Sequence, residues 1–330
     1  MVPRKPNRPT LKSIAQETGL SVAAVSRILR GDEKFKEQSI RLVQEVAARV
    51  GYVADPAGVR LRTGKNLLIA FVLASEAASE SMTSMLINAL AVTLRKTQYR
   101  LTVYPTFPDE DPLHAIQDIV RNSLADGIIM NRIEPDDARI KYLMEHNFPF
   151  ITHGRSNLSE QHDYYDFDNF AYGEFAVRDL AERGCKQVML LAPPLSQSYG
   201  QAMFDGATKA ARENGLEFRM IDGVTNESRS DAIGRVVRDI LVSDKRPDGF
   251  IASSARTCHI MTRAIEKLNL DVGRDVCVVT KDVDGGIFDF CREVTVQKED
   301  TRLAGEYLAK SLLLRINDHT QPLRQRLDGP

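Results

Sequence analysis

The side chains best placed to do chemistry fall into two groups. In the first, Arg27 lies close to Val22, Ala23, Ser26 and Arg30. Arginine offers two parallel N–H donors that match the O6 and N7 acceptors of a guanine edge, and small apolar groups suit thymine methyls or close approach of a helix end. The second group, Ser75, His153, Arg155, Lys281 and Asp282, is spread through the longer remainder of the chain. It offers donors and acceptors suited to hydroxyl-rich ligands. No nucleophile stands at a readable spacing from a base, so no catalytic residue is assigned and an enzyme is not expected. Gly58 and Gly64 enclose five residues where a phosphate loop has four, Asn66 stands where Ser or Thr is required, and no Gly-x-Gly-x-x-Gly occurs. Cys185, Cys258, Cys277 and Cys291 lack Cys-x-x-Cys spacing and a histidine cluster, so they read as buried thiols rather than a disulfide or zinc set. Neither metal nor cofactor is expected. Asp168-Asn169, near Asp163 and Asp166, reads as a helix cap and lobe link ahead of an apolar-periodic run from Phe170 to Leu180.

The first group must be carried on a helix. Thr10 is a natural N-cap for a helix bearing Leu11, Ile14 and Ala15, Gly19 supplies a tight turn, and Ser21 caps a second helix. On that second helix Val25 and Leu29 are expected to face the core, which leaves Val22, Ala23, Ser26, Arg27 and Arg30 outward. A third helix is expected over about Lys36–Val50, closed by Gly51. This pattern is the helix-turn-helix that lays its second helix in the DNA major groove. Residues 1–65 carry 13 Lys+Arg against 6 Asp+Glu, a net of +7, whereas the rest carries 31 against 39. Basicity is thus concentrated where phosphates would lie.

The motifs Thr-Leu-x-x-Ile-Ala, Gly-Leu-Ser, Val-Ser-Arg-Ile-Leu, Val-Gly-Tyr and Arg-Leu-Arg-x-Gly-Lys resemble the lactose/galactose repressor (LacI/GalR) family of bacterial transcription regulators, over residues 10 to about 320. The resemblance implies a headpiece over 1–53, in which Thr10 and Ser21 join the DNA-facing residues. It implies a hinge helix over 54–65 and a core over 66–330. Asp55 and Pro56 suit a helix start, and the segment to Arg62 is too short to be stable alone. By resemblance the hinge pairs with its dimer mate in the minor groove and wedges Leu61 into a central base step. Ala54 replaces a common proline there, and Gly58 a common alanine, which costs about 1 kcal/mol of helix propensity.

The longer remainder contains a duplication. Lys-Asn-Leu-Leu-Ile-Ala-Phe-Val at Lys65 is echoed by Lys-Gln-Val-Met-Leu-Leu-Ala at Lys186, and Asp-Gly-Ile-Ile at Asp126 by Asp-Gly-Phe-Ile at Asp248. Phe148–Thr152 and Val276–Thr280 form a third pair, which puts His153 and Lys281 at corresponding places just after a strand. Helical stretches (Met85–Lys96, Phe204–Glu213) alternate with these strands, which predicts an α/β fold of two Rossmann-like lobes behind the all-α headpiece. The core is therefore expected to be periplasmic-binding-protein-like, with a ligand in the cleft lined by the carboxyl ends of the strands. Ser75 closes the first strand. By resemblance the effector contacts fall at the Arg155 loop, Gln201, Ser253 and Asp282, although Gln201 replaces a frequent arginine and Ser253-Ser254-Ala255 an Asn-Asp loop. With no tryptophan in the chain, ring stacking falls to Phe or Tyr, with Phe71, Phe107 and Tyr199 unranked.

The chain has 330 residues, 43% of them hydrophobic, ample for more than one core. It shows no run of about 20 apolar residues and no apolar stretch behind its first charges, so no membrane span or secretory signal is expected and a cytoplasmic protein is, nucleoid-associated when on its operator. The expectation is a regulator, most often a repressor, of carbohydrate uptake or catabolism. Its partners are a near-palindromic double-stranded operator and a sugar-like effector, and no leucine heptad follows the last expected helix (Thr301–Ile316), so it should act as a homodimer. A sugar-binding transport receptor with the same two lobes is the alternative, but it would have no use for Arg27 and the basic head.

Overall fold

The computed structural model describes residues 9–29, 31–32, 34–52, 58, 60, 63–74, 80–107, 109–283, 291 and 293–330, the side chains of 80 and 81 excepted. The chain divides into two compact units, Met1–Asn66 and Leu67–Pro330. Expectations placed on Arg30, Leu61 and Ser75, and most of the hinge, lie outside the described residues. Within the hinge, Gly58, Arg60 and Thr63 have helical backbone, and the Gly64 amide donates to the Arg60 carbonyl at 2.8 Å.

The first unit is helical: α1 (Leu11–Thr18), α2 (Val22–Ile28) and α3 (Glu37–Val50). Thr10 caps α1 reciprocally with Ser13, Gly19 ends it with φ 69°, and Ser21 accepts the Ala24 amide to start α2. Three short helices cannot hold themselves together by propensity alone. Ile14, Ala15, Val25, Ile28, Val43, Val46 and Ala47 bury a common core. Leu29 packs against this core as expected, though half-buried at its C-cap, and Ile28 joins Val25 in it fully buried, because α2 also turns its i, i+3 edge inward.

The second unit holds two parallel sheets. The strands are β1 (Leu68–Ala74), β2 (Arg100–Thr106), β3 (Gly127–Met130), β4 (Phe150–His153), β5 (Tyr164–Phe167), β6 (Gln187–Leu191), β7 (Glu217–Met220), β8 (Gly249–Ala252), β9 (Cys277–Asp282), β10 (Thr295–Lys298) and β11 (Gln325–Asp328). One sheet runs β11-β5-β4-β3-β1-β2 and the other β10-β9-β8-β6-β7, so the duplicated strands occupy the same places and both lobes share one order. The repeated Asp-Gly has a structural reason. Asp126 accepts the Leu67 amide at 2.7 Å and Asp248 the Lys186 and Gln187 amides at 2.8 Å, so each carboxylate fastens the start of its lobe's first strand. β11 was not expected. It adds a parallel edge strand to β5, with Leu327 paired to Asp166.

Helices cover both faces of each sheet. In β1, Ile69 and Phe71 face one core while Ala70 and Val72 face the other, which is why the strand reads as an unbroken apolar run. In chain order the helices are α4 (Glu80–Leu94), α5 (Pro112–Arg121), α6 (Ala138–Glu145), α7 (Asn169–Glu182), α8 (Ser198–Asn214), α9 (Ser230–Leu241), α10 (Ala255–Lys267) and α11 (Thr301–Asn317). The last of these packs with α4 on the first sheet, so the chain crosses between lobes from β5 to α7 and back from β10 to α11. None of the described helices is long and apolar enough to cross a membrane.

Helices α7 and α8 meet almost backbone to backbone. A methyl group on Gly206 would strike the Phe170 carbonyl, and one on Gly173 would lie 2.7 Å from the Ala207 nitrogen. Neither obstacle is a flexible side chain. Gly206→Ala is therefore expected to destabilise the core by about 1 to 3 kcal/mol, read as a lower denaturant midpoint at unchanged slope.

Candidate functional site

The carboxyl ends of β3, β4, β8 and β9 open onto a cleft between the lobes, with about 1050 Å³ of empty space, its solvent-open mouth included. At its base lies a buried polar cluster. The Lys281 ammonium donates to Asn169 Oδ1 at 2.8 Å and to Glu299 Oε2 at 3.0 Å, and sits 5.0 Å from the Phe167 ring centre. His153 Nε2 stands 4.0 Å from Glu299 Oε1. Burial holds the His153 imidazole below its ordinary range; the Glu299 charge opposes that shift and Lys281 adds to it. His153 is thus held toward its neutral form. The corresponding positions of the duplication meet on one carboxylate, and β4 and β9 run on to include His153 and Asp282 rather than ending before them.

Toward the mouth, Arg132 follows β3 and Glu227 follows β7, and they pair across the lobes at 2.6 Å. The Ser198 amide at the start of α8 donates to the Ile133 carbonyl, a second bridge between lobes. Tyr199 lines the cleft, its phenol pushed up to about 12 by burial and the Glu227 charge. Of the three aromatic candidates it is the one at the site: Phe71 is in the first lobe's core and Phe107 lies exposed after β2. Arg256 lines the wall and is fixed by the Asn226 and Ser228 carbonyls, each at 2.9 Å.

Several buried polar atoms lining this cleft have no hydrogen-bond partner among the described residues: Asn131 Oδ1, Ser198 Oγ, Asn226 Oδ1 and Ser253 Oγ. Asn226 is 8% exposed and Ser253 3%. An unsatisfied buried acceptor costs about 1 to 3 kcal/mol, so their gathering in one place marks a surface made to receive hydroxyl or amide groups.

The structure thus brings His153, Ser253, Lys281 and Asp282 together and leaves two other expected residues aside. Arg155 does not line the cleft; its Nε donates to Asp166 Oδ2 at 2.9 Å, behind the wall. Gln201 does not line it either, because its place on α8 turns the amide to Asp205 at 2.9 Å. Asp168 caps α7 through the Ala171 amide, as expected, but Asn169 belongs to the cleft through Lys281. The sequence reading missed Asn131, Arg132, Asn226, Glu227 and Glu299. Asn131, Arg132 and Glu299 stand just past a strand, where the rule that placed His153 would have found them, whereas Asn226 and Glu227 lie in the longer loop between β7 and α9. Among the described residues no cluster of metal-ligating side chains occurs.

On the first unit, Val22 is 44% exposed, and Ala23 and Arg27 are exposed beside it, while Ser26 is half-buried. Thr10 and Ser21 spend their hydroxyls as caps.

The periplasmic binding protein-like domain family matches residues 177–330. The chain is 26% identical over 312 residues to the HTH-type transcriptional regulator AglR of Rhizobium meliloti, which covers 92% of this chain and 86% of AglR. Its fold is similar to that of the Lac repressor dimer bound to operator and the anti-inducer ONPF (TM-score 0.82, 20% identity, 98% and 97% of the two chains covered). It is also similar to the complex of the transcriptional regulator CelR with cellobiose (TM-score 0.69, 20% identity, 98% and 97% covered). A helix-turn-helix unit preceding a two-lobed core defines a transcription regulator, not an enzyme. Over nearly its whole length the chain is similar to HTH-type transcriptional regulators, and over residues 177–330 to the periplasmic binding protein-like domain family.

Burial raises the Asp166 carboxyl to about 6 from 3.8, and Arg155, about a third exposed and screened by water, offsets this only in part. An acid whose folded value is raised stabilises the fold below its unfolded value and loses that contribution as pH climbs through the folded one. Asp166 therefore makes the protein less stable as pH rises from about 4 to about 6. Asp166→Asn should flatten that decline, as followed by thermal melts across the interval.

Proposed function

We propose that this regulator binds a near-palindromic operator as a homodimer in the cytoplasm and represses genes of carbohydrate uptake or catabolism, and that a neutral sugar held between the lobes controls it. The partnerless buried atoms of Asn131, Ser198, Asn226 and Ser253 carry this reading, since they ask for a ligand rich in hydroxyls. Charge supports neutrality. Lys281 with Glu299, Arg132 with Glu227 and Arg155 with Asp166 are each matched within 3.0 Å, which leaves little net field to attract a phosphate or an acid. Tyr199 supplies the ring face, while His153, Ser253, Lys281 and Asp282 orient the sugar; Arg155 and Gln201 act from outside the cleft by holding Asp166 and α8. CelR, similar over nearly the whole chain, was solved with cellobiose, a neutral disaccharide.

A ligand moves the lobes only by its different affinity for their two arrangements, so sugar and operator must alter each other's affinity by the same factor. Neutral disaccharides, cellobiose among them, are expected to raise the melting temperature while their phosphates do not. The opposite order would sink the neutral-sugar reading. Asn226→Ala or Ser253→Ala should weaken sugar binding about tenfold, roughly one lost hydrogen bond of about 1.4 kcal/mol, seen as a higher sugar concentration needed to change operator affinity.

Val22, Ala23, Ser26 and Arg27 face the major groove in this reading, with the helix starts at Thr10 and Ser21 against phosphates. Arg27→Ala is expected to cost about 1 to 3 kcal/mol per half-site and to relax preference at one base pair, measured by fluorescence anisotropy on the operator and its single-base variants. Equal loss on random DNA would make Arg27 a phosphate contact.

A further inference from the structure

Arg27 is not a free arm. Its Nε and Nη2 both donate to Asp32 Oδ2, at 2.9 and 2.7 Å, and its guanidinium carbon lies 5.0 Å from the centre of the Phe35 ring. Asp32 is itself tied down. Its amide donates to the Arg27 carbonyl at 3.2 Å, and its second carboxylate oxygen accepts the Lys34 amide at 3.1 Å. Phe35 packs on the core of the first unit. A four-bond flexible side chain is thereby held from one edge and from one face.

We propose that Asp32, supported by Phe35, is the positioning residue for base reading by Arg27. This rests on the DNA-binding reading above. A guanidinium has five N–H donors in a planar fork. With the Nε edge given to Asp32, the two donors left side by side are one on each Nη, at the tip. Those two match guanine O6 and N7 end on. A carboxylate at this place also disfavours Arg27 turning sideways to a phosphate, because the guanidinium edge would have to leave Asp32 and the carboxylate would face a second anion. Asp32 thus trades general attraction for DNA against discrimination at one base pair.

The test uses the full-length protein and an operator enriched from random duplexes. The pair Arg27 reads is the one whose preference Arg27→Ala relaxes. Asp32→Ala is expected to lower discrimination at that pair about tenfold, with affinity for random DNA unchanged or higher and the melting temperature unmoved. Asp32→Asn keeps an acceptor and should retain most of the discrimination. In the Arg27→Ala background, Asp32→Ala should leave discrimination as it is, since its effect runs through Arg27. Asp32→Ala with wild-type discrimination and only a changed salt dependence would overturn the proposal, as would full additivity with Arg27→Ala. If the wild-type chain enriches no sequence at all, the DNA-binding reading falls and takes this one with it.

Discussion

The two lobes are tied together around one buried ammonium. Lys281 reaches Asn169, which opens α7 just after the chain leaves the first lobe, and Glu299, which stands where it returns toward α11. A charge in such a place is tolerated only when paired and hydrogen-bonded, and removing one partner of a buried pair costs about 3 to 5 kcal/mol through the charge left behind. Both crossovers are therefore held by the same group that forms the base of the cleft. A group lying on Lys281 and His153 would touch the side chains that fasten both crossovers.

Much of this architecture can be read in the chain. The Lys65/Lys186 and Asp126/Asp248 echoes survive because a strand start needs its amides satisfied, and an aspartate one strand away satisfies them in each lobe. The helix-turn-helix is legible for the same reason: caps and a left-handed glycine are local requirements. Pairings across long sequence separations are not. Arg132 with Glu227 and Lys281 with Asn169 and Glu299 depend on sheet order and lobe packing, which no local spacing encodes. The pairings of Arg155 and Gln201 were illegible on the same ground. Each lies near the cleft in sequence, but a neighbouring carboxylate, Asp166 or Asp205, turns the side chain away. β11 escaped notice because a four-residue edge strand rich in charge, Gln-Arg-Leu-Asp, has no apolar alternation to reveal it.

The headpiece and core show two uses of a carboxylate beside an arginine. Glu227 meets Arg132 from the other lobe, so that pair reports on domain arrangement. Asp32 meets Arg27 from the loop that follows the same helix, so both members of that pair belong to the headpiece. One spans the two lobes, and the other belongs to a single helix and the loop that follows it.

The return of the chain to the first lobe has a consequence for biosynthesis. That lobe is built from β1 to β5 together with α11 and β11, and the whole second lobe lies between them in sequence. On the ribosome, where chains emerge N-terminus first, the strands of the second lobe are all available before α11 appears. Until it does, Ile69, Phe71 and Ile151 lack the Ala304, Leu308 and Leu312 surface that covers them. The lobe begun first is thus completed last, and a nascent chain carries an apolar sheet face covered on this side by α4 without α11 until the last helix emerges.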